Sequence, residues 1–292
     1  MQRRRGFPLS HLWRSEACSG MKLIQSRDNP FFKELVKLAG SARQRSKENL
    51  TLLDGAHLLA AYLDAGMMPQ RILLNESASR DDEIASLLER AGDVQVTQLD
   101  DKLFAELSEL KTPTGILALI EIAQPAVPVA AARFALLLED IQDPGNLGSM
   151  LRSSAAAGCD AVFLSAGCAD AWSPKVLRAA MGGHFALDIH ERQDLSSVAK
   201  AFPGMLLAAS LQATNSLYDC DLRGTVAFLI GNEGAGLSDN LLNLATRQII
   251  IPMPGKVESL NAAAATAICL FEAVRQRMSG ASNSLTCKPV SL

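Results

Sequence analysis

The chain is predicted to be an α/β protein of two parts, a smaller mixed unit followed by a larger one built on a parallel sheet covered by helices. Three observations predict it. Strand-like and helix-like stretches alternate from Met21 to about residue 280. The strand-like stretches of the second half ("FALLL", "AVFL", "MLLAA", "VAFLI" and "QIII") are apolar throughout but for the Gln that opens the last, as expected of strands buried on both faces. The Pro- and Ala-rich, uncharged segment "AQPAVPVAAA" separates the two halves, as a linker does.

Composition bounds the class of protein. The 292 residues are enough for two domains, each with its own core. Hydrophobic residues at 48% and charged residues at 20% describe a soluble globular chain, and no apolar run reaches membrane-spanning length. The six cysteines form no C-x-x-C pair and the four histidines show no ligand spacing, so reduced thiols in a cytoplasmic setting, and no metal, are expected. The first twenty residues are Arg-rich and lack the apolar core of a secretory signal; they read as an upstream extension, a transit segment or a flexible arm. Residues 281–292 are expected to form a flexible tail.

The elements follow in order. "NPFFKELVKLAGSA" has apolar residues at helical spacing, "LTLLDG" is a short strand, and "AHLLAAYLDAG" is an amphipathic helix closed by Gly66. "RILLN", "VQVTQL" and "GILALIEI" read as strands with helices between them. A first domain therefore spans 21–121, a linker 122–130 and a second domain 131–280. Net charge is only −3, but residues 1–47 carry eleven Lys/Arg against three Asp/Glu. A local basic face of this kind can bind phosphates on an otherwise acidic protein. The cations selected as phosphate contacts are Lys33, Lys37, Arg43 and Arg45.

In open parallel sheets ligands lie beyond the carboxyl ends of the strands. Three such ends are unusual. "EDIQDPGNLGSMLRSSAAAG" follows the first strand of the second half, with Asn146 read as the cap of a helix that carries Gly148 and, two turns in, Arg152. "GNEGAGLSDNL" places Gly231, Gly234 and Gly236 within six residues, letting backbone approach something closely. "IPMPGKVESLNAAAATA" runs from a buried strand through a turn into an Ala-rich helix, with Ser259 and Asn261 as candidate caps. Neither a G-x-G-x-x-G nor a G-x-x-x-x-G-K-[ST] loop is present, so the ligand is not held as in a Rossmann or P-loop nucleotide site.

The three stretches "NLGSMLR", "LIGNEGAGL" and "IPMPGKVESLNAAAA" resemble, in order and interval, the motifs of SpoU/TrmH-type RNA 2′-O-ribose methyltransferases. "SRDNPFFKEL", "LLDGAHLL" and "TPTGILALIE" resemble the L30e-like substrate-binding domain that many members carry in front. The resemblance implies a methyltransferase domain with a deep trefoil knot (the SPOUT fold), which periodicity alone does not suggest. It implies S-adenosylmethionine as cofactor, held by main chain at Gly231, Ile251 and Leu260. It also implies catalysis by Arg152, cast as an electrostatic stabiliser because a guanidinium is a reluctant base. Asn146 and Glu233 are expected to fix the nucleotide and the arginine, and Ser259 and Asn261 to shape the pocket. Homodimerisation through the knot region, with the active site completed across the interface, belongs to the same implication, as does an RNA partner. Ribosomal RNA is favoured over tRNA, and the alternatives are a tRNA 2′-O-methyltransferase or a non-catalytic RNA-binding homologue. Many members carry Gln at the place of Thr114 and Ser at that of Ala180, so this chain departs from the pattern there.

Overall fold

The computed structural model describes residues 22–78, 81–108, 110 and 112–280. The N-terminal extension 1–20 and the tail 281–292 lie outside the described residues. The described residues divide into two compact units, one comprising 22–123 together with Trp172–Arg178, the other Gln124–Ala171 and 179–280. Trp172–Arg178, expected within the second domain, thus groups with the first: Thr51 Oγ1 donates to the Trp172 carbonyl at 2.7 Å, and Arg178 lies 3.6 Å from the buried carboxylate of Asp54.

The first unit contains β1 (Lys22–Ile24), α1 (Pro30–Gly40), α2 (Ala42–Glu48), β2 (Leu50–Asp54), α3 (Ala56–Asp64), β3 (Arg71–Leu74), α4 (Asp82–Ala91), β4 (Gln95–Leu99), α5 (Asp101–Leu107) and β5 (Ile116–Glu121). The sheet order is β1-β4-β3-β5-β2, with β5 antiparallel to both its neighbours and the other pairs parallel. Helix α1 begins where the Asn29 side chain accepts from the amides of Phe31 and Phe32, and Pro30 at its first position has no N–H to leave unpaired. Its residues Phe32, Leu35 and Leu38, spaced to share one helical face, bury against Leu50, Leu52, Leu73, Leu117 and Leu119 of the sheet.

The second unit is a parallel sheet of seven strands: β6 (Phe134–Leu138), β7 (Ala161–Leu164), β8 (Asp188–His190), β9 (Met205–Ala209), β10 (Asn215–Ser216), β11 (Val226–Ile230) and β12 (Arg247–Ile250). They run in the order β10-β12-β9-β11-β6-β7-β8. The helices are α6 (Pro144–Ala157), α8 (Leu195–Ala201), α9 (Asp239–Leu244) and α10 (Ala262–Gly280), while α7 (Pro174–Ala180) belongs for most of its length to the first unit. Strands β6, β7 and β11 are buried at every residue, as their uninterrupted apolar composition requires. The short strands β8 and β10, reading "DIH" and "NS", have no such signature and exist because a neighbouring strand offers them a ladder. The expected linker is docked: Ala126 and Val127 donate their amides to the Asp188 carboxylate at 3.0 and 2.9 Å, and Val127 and Val129 pack against the core of the second unit.

Candidate active site

All three unusual loops leave the carboxyl edge of the parallel sheet, from β6, β11 and β12. Helix α6 starts first. Its N-cap is Asp143, not Asn146 as expected: the Asp143 carboxylate accepts from the Asn146 amide at 2.8 Å, with Pro144 at the first helical position. An Asp-Pro pair satisfies the helix start, so the Asn146 side chain is released for other work.

That work is to join the loops. Asn146 Nδ2 donates to Glu233 Oε1 in the loop after β11. Its Oδ1 accepts from Asn261 Nδ2 at 2.9 Å, on the segment after β12. One side chain thereby ties all three strand-end segments together, across sequence separations of 87 and 115 residues. Asn261 also caps α10, its Oδ1 accepting from the amides of Ala263 and Ala264 at 2.9 and 3.2 Å. Asn261 can do both because its acceptor faces the helix amides while its donor faces Asn146.

The loop after β11 closes tightly. A Cβ added at Gly231 would fall 2.2 Å from the carbon and oxygen of Gly236 and 2.4 Å from the Leu237 nitrogen. Gly231 is therefore needed so that the two ends of the loop can touch. Its Cβ position faces backbone of the same loop, so its first role is to shape the loop. Gly236 sits at φ +71, in the left-handed region that favours glycine.

Ile251 is half-buried one residue past β12, and Ser259 and Leu260 are exposed near the start of α10. Gly231 and Ile251 each lie one residue beyond a strand end, with β9 between those strands, which separates them by about 10 Å at the strand spacing. Among the described residues the main chain of 252–260 forms no hydrogen bond with another backbone segment, and a Cβ at Gly255 would meet nothing within 4 Å. The segment therefore offers open N–H and C=O groups between half-exposed apolar side chains.

Arg152 is exposed on α6 and is not drawn to Asn146 or Glu233. Six residues along a helix correspond to about 9 Å of rise and roughly 120° of rotation away from Asn146. The expectation that Asn146 and Glu233 hold the arginine is thus corrected: they hold each other. Beneath Arg152 lies the turn at Gly183, where a Cβ would stand 3.2 Å from the Arg152 Cα. The next residue, His184, is buried, with Nε2 2.6 Å from the Ala171 carbonyl oxygen. Burial pushes its imidazole down to about 4, outweighing that hydrogen bond. Burial also pushes Cys159 and Cys269 up to about 12, which leaves neither a ready thiolate.

Of the expected RNA-facing cations, Lys33, Lys37 and Arg43 are exposed on α1 and α2. Arg45 is not. It is 4% exposed, and its guanidinium donates to the carbonyls of Leu38 and Ala39 at the end of α1. A helix end leaves carbonyls unpaired, and Arg45 satisfies two of them from inside the protein.

Sequence reasoning missed Asn232, Asp140 and Ser165, which order the loop after β11. Asn232 precedes Gly234 by two residues, and an Asn two residues before a Gly is a signal for a side-chain-capped turn. Asp140 lies at φ +54, which no sequence pattern announces.

Comparison with known proteins identifies the arrangement. Residues 133–271 match the SpoU rRNA Methylase family model and residues 29–118 the MRM3-like substrate binding domain. The 23S rRNA guanosine 2′-O-methyltransferase RlmP of Bacillus subtilis is 35% identical over 253 residues, covering 86% of this chain and 98% of that one. The chain belongs to the SpoU rRNA methylase family. Two crystal structures share its fold: the SpoU methyltransferase AviRb of Streptomyces viridochromogenes, at TM-score 0.76 and 27% identity over 86% of this chain and 99% of that one, and a rRNA methyltransferase of Sinorhizobium meliloti with S-adenosylmethionine bound, at TM-score 0.75 and 27% identity over 87% and 98%. Within this SpoU chain, Asn146, Glu233 and Asn261 come one from each of the three motif stretches and meet at one point.

Proposed function

We propose that the chain transfers the methyl group of S-adenosylmethionine to a ribose 2′-hydroxyl of ribosomal RNA. The observation that carries this reading is the Asn146–Glu233–Asn261 junction, which holds three strand-end loops as one surface at the carboxyl edge of the sheet. The cofactor suits this surface. Open main-chain groups at 252–260, with Ile251 and Leu260 as apolar walls and Gly231 setting the facing loop, match a ligand with a flat base and hydroxyls that pair with backbone. Bound there, it supplies an electrophilic methyl on a sulfonium.

The protein's task is then to orient a poor nucleophile and stabilise its developing charge. Arg152, exposed and cationic, is assigned that stabilisation and a contact to the RNA phosphate. Asn146 and Glu233 fix the nucleotide through the loops they join, and Ser259, exposed beside Leu260, lines the pocket mouth. Lys33, Lys37 and Arg43 supply phosphate contacts from the first unit.

A trefoil knot is part of the proposal. Its support is the path of the chain: the loop after β11 is tied to residues 139–146 by several hydrogen bonds. The segment leaving β12 recrosses β9 and β11 to meet Asn146. A homodimer is likewise proposed. Phe271 and Met278, seven residues apart on one face of α10, are 47% and 38% exposed, and the distance of Arg152 from the junction favours a site completed by a second copy. A cytoplasmic setting is also proposed, on the likeness to the rRNA methyltransferase RlmP of Bacillus subtilis.

The test is methyl transfer from labelled S-adenosylmethionine by the full chain to deproteinised rRNA, to ribosomal particles and to tRNA, with the product mapped for 2′-O-methylation. Label on a ribose of rRNA supports the proposal. Label confined to tRNA or to a base would overturn it.

A further inference from the structure

The loop 231–238 is held by more than its glycines, and the groups that hold it lie outside the motif residues assigned above. Asn232 Oδ1 accepts from the amides of Gly234 and Ala235 at 2.8 and 3.2 Å, and its carbonyl accepts from the Gly236 amide at 2.8 Å. Its Nδ2 donates to the carbonyl oxygen of Asp140 at 2.9 Å, 92 residues away. One side chain therefore both caps the turn and ties it to the loop after β6.

Asp140 is itself held in an unusual conformation. Its φ of +54 is in the left-handed region, where a residue with a Cβ is rare. The Ser165 hydroxyl accepts from the Asp140 amide at 2.9 Å and donates to its carboxylate at 2.6 Å. Behind it is Gly167, where a Cβ would fall 2.2 Å from Asp140 Oδ1. Backbone strain that the surroundings over-determine is often retained because it positions something. Here the residue positioned is Asn232. Neighbouring Glu139 adds two more ties, its amide donating to the Ile230 carbonyl at 3.0 Å and its carboxylate accepting from the Ser238 amide at 2.7 Å.

We infer that Ser165, Asp140 and Asn232 form a clasp that pre-orders the loop 231–238 for the cofactor, with Asn232 a positioning residue for S-adenosylmethionine binding. The inference rests on the reading of that loop as part of the cofactor site. A loop ordered before binding loses less freedom when the ligand arrives, so the clasp acts on affinity and not on the chemical step. Its signature is a raised KM for S-adenosylmethionine with kcat retained.

The experiment uses the full-length protein and three variants. Asn232→Asp keeps the acceptor that caps Gly234 and Ala235 and removes the donor to Asp140. Asn232→Ala removes both. Ser165→Ala loosens Asp140 from outside the loop. Calorimetry with S-adenosylhomocysteine, steady-state kinetics and amide hydrogen exchange of residues 232–237 are read for each, with and without that ligand. Protection of these amides by the ligand in the wild type is expected; its absence would overturn the reading of the loop and the clasp with it. Given protection, Asn232→Asp should weaken S-adenosylhomocysteine binding about tenfold, raise KM for S-adenosylmethionine in step, leave kcat within about threefold, and speed exchange of the free loop. Ser165→Ala should do the same to a lesser degree, and combining it with Asn232→Asp should add less than the sum of the two. Wild-type affinity and exchange in both Asn232→Asp and Ser165→Ala would overturn the clasp while leaving the cofactor loop in place. A lowered melting temperature with unchanged affinity would likewise reduce Asn232 to a structural residue and overturn the inference.

Discussion

Replacing Gly231 by Ala should damage the loop between β11 and α9 more than its single methyl group suggests. The added carbon would stand 2.2 Å from the Gly236 carbon and oxygen and 2.4 Å from the Leu237 nitrogen. Ordinary contact begins near 3.4 Å, so one side of the loop must move by more than 1 Å. The obstructing atoms are backbone, which cannot rotate aside as a flexible side chain would. Overpacking of this kind costs about 1–3 kcal/mol, and the upper half of that range applies because the displaced segment carries the Asn232–Gly236 bridge. For a unit of this size the loss corresponds to a fall in melting temperature of about 5–10 °C. Gly236→Ala provides the control, since its Cβ meets nothing within 4 Å and only the φ of +71 opposes it, at about 1–2 kcal/mol. Thermal unfolding followed by calorimetry with S-adenosylhomocysteine should rank Gly231→Ala as the more destabilised and the weaker binder. Wild-type melting and affinity for Gly231→Ala would refute the steric argument.

Arg152→Ala should abolish methyl transfer while leaving S-adenosylhomocysteine affinity within a few-fold, as equilibrium binding and labelled-methyl assays would show; near-normal turnover would remove Arg152 from its role. Neutralising Lys33, Lys37 and Arg43 together should weaken RNA binding and flatten its salt dependence by up to about one unit per lost phosphate contact, measured by titration at several salt concentrations. Arg45→Ala should instead lower the melting temperature with little change in that salt slope, because its guanidinium faces the Leu38 and Ala39 carbonyls. His184 makes acid stability its own signature: burial holds the folded imidazole at about 4 against an ordinary 6.5. The unfolded chain therefore takes up this proton first, so the stability is intact above pH 6.5 and declines as pH falls towards 4, by roughly 3 kcal/mol at the lower end. Denaturant unfolding at several pH values should show that slope reduced in His184→Gln; an unchanged slope would exclude His184 as its source.

Much of the architecture was legible in local pattern. Uninterrupted apolar runs marked β6, β7, β9 and β11 because a strand covered on both faces has no position for a polar side chain. Helical spacing marked α1, and a long Ala-rich run marked α10. The short strands β1, β8 and β10 were not legible, since two or three residues carry no period and pair only because a neighbour is there. The basic character of residues 33–45 was visible, but burial was not: Arg45 and Arg43 look alike in sequence, and only the approach of α2 to the end of α1 turned Arg45 inward.

The candidate site divides in the same way. The residue types were legible, because glycines, Asn and Arg at three strand ends exceed what turns require, and the motif spacing carried the family. Their partners were not. That Asn146 meets Glu233 and Asn261 and not Arg152, that Asp143 caps α6, and that Asn232 reaches Asp140 all depend on which strands become neighbours. Sheet order brings β11 beside β6 and sends the segment after β12 back to α6. Hydrogen bonds act over about 3 Å, so contacts between residues 87 to 115 positions apart exist only once the whole sheet has assembled.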